Sequence, residues 1–195
     1  MASELDARIK DAIFCFQRLL EQGRDHWAVM CSGGKDSTCV ASLALIFSAK
    51  LPEHRPRIIF LHVDTGVENP AVLAAWQRFA TSALTFAKRH ALDLRIHDLQ
   101  PPPERSFFVQ MLTRGLPPPN PRFRWCTRSL KVQPAQRFLS SLASKSSVAV
   151  LVGLRYGESE ARDQRLNTSC SRGAECGHGS ILAKSTELSF KVVSP

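Results

Sequence analysis

No uncharged apolar run in the chain approaches the roughly 18 residues that a membrane span needs. The N-terminus Met1-Ala2-Ser3-Glu4-Leu5-Asp6 also lacks the basic flank and apolar centre of a signal peptide. Together these absences lead us to expect a cytoplasmic protein with no membrane partner. No internal repeat is visible, which sets repeat architectures aside. Carboxylates are in short supply: 17 Asp and Glu face 26 Lys and Arg, for a formal net charge of +9. A positive field of that size draws in polyanions or a large anionic substrate. A single phosphate-binding site would account for several of these charges, so DNA or RNA binding stays open. Six cysteines in a cytosolic chain argue against a disulfide framework and for buried thiols, metal ligands or redox chemistry. At 195 residues, 44% hydrophobic and 22% charged, the chain is long enough for one α/β domain with a full core and too short for two.

What the chain does contain is organised around Ser32-Gly33-Gly34-Lys35-Asp36-Ser37-Thr38. The apolar run Trp27 to Cys31 precedes it and Cys39-Val40-Ala41-Ser42-Leu43-Ala44-Leu45-Ile46 follows, which reads as strand, glycine turn and helix start. Gly33 and Gly34 allow dihedrals closed to other residues and a close approach of an anion to the main chain. A helix beginning near Lys35 adds N–H groups and the positive end of its dipole, and Ser32, Ser37 and Thr38 add hydroxyls. The stretch is a candidate phosphate cradle. It is not a Walker loop, because the four residues between the first glycine and Gly-Lys-Ser/Thr are missing.

Before this loop, Leu5, Ile9, Ala12, Ile13, Phe16, Leu19 and Leu20 recur at helical spacing, so an amphipathic helix closing near Gly23 is expected, with Cys15 buried inside it. Cys31 and Cys39 flank the loop; small apolar packing is the expected role of both, over a lowered thiol pKa at the helix start. Arg57 to Val63 reads as a buried parallel strand ending in Asp64-Thr65-Gly66-Val67-Glu68-Asn69-Pro70, with Pro70 opening a helix that runs to about His90. Leu92 to Leu99 gives a third strand. Proline clusters at 101–103 and 117–121 bracket a short helix, Glu104 to Arg114, and mark 101–121 as a lid or insert rather than an interdomain linker. Arg122-Phe123-Arg124-Trp125-Cys126-Thr127-Arg128-Ser129-Leu130-Lys131 then sets four cations around one cysteine, an anion-facing and thiolate-stabilising environment, and leads into a helix through Phe138 and Leu142.

Ser147 to Val152 is the fourth expected strand, ending at Gly153-Leu154-Arg155-Tyr156-Gly157-Glu158-Ser159-Glu160-Ala161-Arg162. Its place at a strand's carboxyl end is where an open α/β sheet puts ligand groups. Arg155 and Arg162 can grip phosphate bidentately, and Glu158 can orient one of them. Beyond Arg165 the regular pattern stops, and 167–180 holds Cys170, Cys176 and His178 in a turn-rich stretch. With Cys126 they form a candidate iron–sulfur or zinc ligand set. The spacing fits neither a standard zinc ribbon nor a ferredoxin run, so free thiols remain the alternative. An apolar segment, Leu188 to Val193, comes just before the end at Pro195.

Four of these stretches, in order, resemble the signatures of the phosphoadenosine phosphosulfate (PAPS) reductase-like family among the N-type ATP pyrophosphatases: Ser-Gly-Gly-Lys-Asp-Ser, Asp-Thr-Gly, Cys126-x-x-x-x-Lys131-x-x-Pro134, and Gly-x-Arg-x-x-Glu-Ser-x-x-Arg. The resemblance covers most of the chain, from Ser32 to Arg162. It implies one domain over 1–195, an open parallel α/β sheet of the adenine nucleotide alpha hydrolase type with helices on both faces, and a site at the strands' carboxyl ends. By the same resemblance Ser32, Gly33, Gly34, Lys35, Asp36, Ser37 and Thr38 hold the β,γ-phosphates of ATP, with Asp36 helping to place Mg²⁺. Asp64, Thr65 and Gly66 lie beside the nucleoside, and Arg128 and Lys131 belong to the binding set. Lys35, Asp36, Arg155, Glu158 and Arg162 are the catalytic candidates.

Within the family, reductases attack PAPS with a cysteine in a carboxyl-terminal Glu-Cys-Gly-x-x-His segment. Here Glu175-Cys176-Gly177-His178 brings the histidine one place early, and Cys126 and Cys170 have no task in a plain reductase. The closer likeness is to DNA phosphorothioation proteins of the DndC and SspD type, which use ATP and often carry a [4Fe-4S] cluster held by four cysteines. That likeness implies an adenylating ATP pyrophosphatase that works with a cysteine desulfurase or other sulfur donor, and with DNA or a DNA-modification complex. A PAPS or adenosine phosphosulfate reductase using Cys176, and a nucleotide-sensing module without turnover, are the alternatives.

Overall fold

The computed structural model describes residues 2–120, 123–144, 146–153 and 190–193. In chain order the elements are α1 (Ala2–Glu21), β1 (His26–Cys31), α2 (Lys35–Lys50), β2 (Arg57–Val63), α3 (Pro70–Arg89), β3 (Leu94–Leu99), a 3₁₀ turn (Pro103–Arg105), α4 (Phe107–Leu112), a π-helix (Thr127–Val132), α5 (Gln133–Ala143), β4 (Val148–Val152) and β5 (Phe190–Val193). The five strands form one sheet in the order β3-β2-β1-β4-β5, and every pairing is parallel. The expected α/β class and parallel sheet are what is found. Parallel neighbours need crossover connections; α2 supplies the one from β1 to β2 and α3 the one from β2 to β3.

Because β1, β2 and β4 are covered on both faces, they read as nearly continuous apolar runs, yet their side chains alternate between two cores. Trp27, Val29, Cys31, Ile58, Phe60, Ala149 and Leu151 pack with Phe16 and Leu19 of α1, Ala44 and Phe47 of α2 and Trp76 of α3. Ala28, Ile59, Leu61, Val148 and Val150 pack with Leu139 of α5 on the opposite face. Trp27 anchors the first core, its ring 5.1 Å from Phe16 and 5.9 Å from Phe47, with its indole N–H donated to the Arg24 carbonyl at 2.8 Å. Cys15 is buried in α1, as its helical position implied.

Several expected boundaries shift. The third strand begins at Leu94 instead of Leu92, because Ala91 takes φ 52° and Leu92 N–H closes back on the Ala87 carbonyl at 2.9 Å. The helix expected over Glu104 to Arg114 is two pieces, broken where Ser106 is extended (φ −60°, ψ 159°) between the 3₁₀ turn and α4. The stretch leading into α5 is π-helical, and the apolar segment near the end contributes the strand β5 beside β4. Cys39 is exposed in α2 rather than packed, since it lies on the face opposite Val40, Ala41 and Ala44.

Candidate functional site

Sheet order sets where a site can lie. From β1 the chain moves outward through β2 to β3, then returns to the other side of β1 for β4 and β5, so the direction of winding reverses between β1 and β4. The loops leaving these two strands diverge above that point and leave a crevice at their carboxyl ends. Residues 32–34 occupy it, running straight from β1 into the first turn of α2.

The local sequence folds this loop through glycine and hydroxyl chemistry. Gly33 has φ +77°, and a Cβ there would lie 2.8 Å from the Val72 carbonyl oxygen and 3.2 Å from Trp76 Cβ, so α3 packs directly on the turn. The buried Ser37 hydroxyl accepts from Ser32 N–H at 3.2 Å and donates to the Gly34 carbonyl at 3.0 Å. Thr38 donates its hydroxyl to the same carbonyl at 2.8 Å. In this arrangement Ser37 and Thr38 brace the loop. Lys35 is exposed and Asp36 half-buried in the first turn of α2, at the positive end of its dipole. Across the crevice Gly153, just past β4, lies so close to that turn that a Cβ would sit 2.5 Å from the Asp36 carbonyl oxygen. Cys31, at the last position of β1, is buried, and burial pushes its thiol well up from the ordinary value, so it packs rather than reacts.

After β2 the segment Asp64–Pro70 turns on itself. Asp64 accepts Gly66 N–H at 2.8 Å and the Gln100 amide at 3.2 Å, which closes the turn at Gly66 (φ +75°). Asn69 caps α3 by accepting Ala71 N–H at 2.9 Å, with Pro70 in the first turn. Thr65, buried, donates to Glu68 Oε1 at 3.0 Å, and the same oxygen pairs with Lys131 Nζ at 2.9 Å. His62, buried at the end of β2, donates Nδ1–H to the Cys31 carbonyl at 2.9 Å and stacks on Trp76 at 4.8 Å. Its Nε2 is buried and has no hydrogen-bond partner among the described residues.

The π-helix brings Lys131 to the crevice. The segment between β3 and the π-helix supports it: Gln110 of α4 donates to the Ser129 hydroxyl at 2.6 Å, Arg105 to Gln133 Oε1 at 3.2 Å, and Phe107 stacks on Trp125 at 5.4 Å. A cavity of about 200 Å³ results. Its wall joins Ser32 and Ser37 of the loop, Glu68, Lys131 and Gly153 to an apolar floor from Met30, Leu61 and Val132. The arrangement can hold a flat apolar group on the floor and an anion against the loop and the first turn of α2.

Of the expected site residues, Ser32, Ser37 and Lys131 line the cavity, Thr65 is joined to it through Glu68, and Asp36 lies against Gly153; Gly33, Gly34, Lys35 and Thr38 belong to the adjoining loop and first turn of α2, and Asp64 and Gly66 to the turn after β2. Arg128 lies on the π-helix with Lys131 and is exposed, and half-buried Cys126 immediately precedes that helix. Arg155, Glu158, Arg162, Cys170, Cys176 and His178 lie outside the described residues. Among the described residues no group of three or more His, Cys, Asp or Glu side chains could hold a metal ion. Glu68 and His62 were not among the expected site residues, and Gly153 was expected only as the first position of the signature after β4. Position at a strand's carboxyl end was the available signal for His62 and Gly153; nothing in the spacing marked the pairing of Glu68 with a residue 63 places on.

An all-parallel sheet that reverses at its first strand, with a glycine-turn anion cradle at the reversal, defines an α/β protein of the nucleotide-binding kind. Residues 26–175 match the model of the phosphoadenosine phosphosulfate reductase domain, well over half the chain, and the chain belongs to that family. It thereby has the character of an enzyme domain acting on nucleotide substrates, with adenine nucleotides as the ligand class. No curated protein matches the chain. No helix among the described residues is long and apolar enough to cross a membrane.

Proposed function

We propose that the protein is an ATP pyrophosphatase that activates an acceptor by adenylation, for sulfur transfer of the DNA phosphorothioation kind. The observation that carries this reading is the cradle at the sheet's reversal point, where Gly33 lets the turn lie against α3 and Gly153 lets β4 close on the first turn of α2. The loop amides and the α2 dipole meet the β,γ-phosphates of ATP, and Lys35 adds a mobile cation. Arg155 and Arg162, oriented by Glu158, neutralise charge growing on the leaving pyrophosphate, which is positioning and electrostatic work. Asp64, Thr65 and Gly66 lie beside the nucleoside; Arg128 and Lys131 complete the anion-facing wall. Mg²⁺ takes one or two carboxylates together with phosphate oxygens, and Asp36, half-buried in the first turn of α2, fits that part. Bound there, the ion screens phosphate charge. Cys126 would be one thiolate of a [4Fe-4S] cluster, with Cys170 and Cys176, and His178 is a further candidate.

Residues 1–195 act in this reading as one domain, with the 101–121 insert as a lid and a cysteine desulfurase or comparable donor supplying sulfur to a DNA-bound acceptor. ATP labelled at the α- or γ-phosphate tests the reaction: pyrophosphate release supports it, and orthophosphate alone refutes it. The matched family's own description favours a second reading, thiol-dependent PAPS reduction with Cys176 as nucleophile. Sulfite release that requires Cys176 and a thioredoxin-type donor would establish that reading and displace the first.

A further inference from the structure

Glu68 puts a carboxylate in the wall of a cavity that is otherwise suited to anions, and that placement calls for a reason. Its side chain is only 18% exposed, and one oxygen, Oε1, receives both the Thr65 hydroxyl at 3.0 Å and the Lys131 ammonium at 2.9 Å. Thr65 is itself buried, so the carboxylate is held from the β2 side. Lys131 is 48% exposed and extends from the π-helix, a rare element often found at functional sites. The pair therefore ties the loop after β2 to the π-helix, and both partners line the cavity.

We propose that Glu68 is a competing partner that occupies Lys131 at the cavity wall while no anion is bound, and that the phosphates of an entering nucleotide take Lys131 from it. Binding is then an exchange of partners at one ammonium. The proposal rests on the nucleotide reading of the cavity. The energetics favour exchange: a half-exposed carboxylate–ammonium pair is worth about two- to fivefold in an equilibrium constant. A charge-assisted bond from the same ammonium to phosphate is worth about tenfold or more. Glu68 thus keeps the ammonium in place without holding it against a ligand of higher charge.

A double-mutant cycle on ATP affinity tests this, with Glu68→Gln, Lys131→Met and the pair, each measured calorimetrically in the full chain. Gln keeps an oxygen to accept from Thr65 and removes only the charge. Exchange predicts that Glu68→Gln tightens ATP about threefold in the native background, and by less than about 1.5-fold when Lys131 is Met. Lys131→Met alone should weaken ATP about tenfold. Equal tightening in both backgrounds would show that Glu68 acts only as a repelling charge, and loosening would show that it serves the ligand directly; either overturns the exchange. If Glu68→Gln does not fold, ¹⁵N-lysine NMR of the native protein replaces it. The Lys131 ammonium signal, assigned by its loss in Lys131→Met, must move when ATP is added, and a stationary signal overturns the proposal. A native chain that binds neither ATP nor PAPS removes the nucleotide reading and this proposal together, whereas ATP binding with an additive cycle removes the exchange alone.

Discussion

Replacing Gly33 by alanine puts a methyl group 2.8 Å from the Val72 carbonyl oxygen and 3.1 Å from Val72 Cγ1, on a backbone at φ +77°. Two separate costs follow. Holding an L-residue in the left-handed region costs about 1–2 kcal/mol. Forcing α3 back from the turn costs about 1–3 kcal/mol, since the nearest atom is backbone and cannot rotate away. Alanine also stiffens the unfolded chain, which returns about 0.4–1 kcal/mol. The net loss is about 1–4.6 kcal/mol, a fall in Tm of about 2–18 °C for a chain of this length. Its neighbour is the control. Gly34 has φ −82°, and a Cβ there would meet only the Ser32 hydroxyl oxygen at 3.4 Å, an ordinary contact. As the N-cap of α2, Gly34 exchanged for alanine loses several tenths of a kcal/mol of capping, about what the stiffer unfolded chain returns. Urea denaturation of both variants measures the difference. If Gly33→Ala lies within about 0.5 kcal/mol of Gly34→Ala, the close packing of α3 on the turn is not what holds the loop.

Other expectations follow from single groups. His26, at the start of β1, has its pKa lowered by burial and by the Arg57 guanidinium, so the folded state prefers the neutral ring. Its contribution to stability is present above the unfolded value near 6.5 and lost as pH falls through the lower folded value; His26→Gln should flatten that part of a pH–stability profile, and an unchanged slope would count against it. In the native protein, iodoacetamide should modify exposed Cys39 and spare buried Cys15 and Cys31, whose thiol is further suppressed by burial; mass mapping that finds Cys31 labelled as fast as Cys39 contradicts the packing described. Anaerobic protein should be brown if Cys126, Cys170 and Cys176 hold a cluster, with Cys→Ser at any of the three removing the absorbance and Cys15→Ser leaving it. A colourless preparation without iron or zinc by elemental analysis defeats the metal reading and leaves the nucleotide site untouched.

Much of this protein was legible before folding, because the features concerned are local. Apolar runs bounded by turn residues marked β1, β2 and β4; three- and four-residue spacing marked α1 and α3; and Pro70 set the start of α3 within one residue. The loop at 32–38 could be read as a cradle because glycine permission and a helix start are properties of adjacent residues. What only the tertiary structure decided depends on approach between distant segments. Gly153 reads in sequence as the end of a strand, yet its lack of a side chain is what lets β4 close on Asp36, 117 positions earlier. Glu68 reads as one member of a turn, and its pairing with Lys131 exists only because the π-helix docks beside the loop after β2. Phe190–Val193, within the apolar stretch near the end, shows no partner of its own in sequence, and becomes a strand because β4 offers an edge to pair with. Cys39 was expected to pack, and the helical phase of α2 against β1 turned it to solvent. Periodicity records which residues share a face of one element; which face meets which neighbour is settled by the sheet order and the crossovers, and so appears only when the chain has folded.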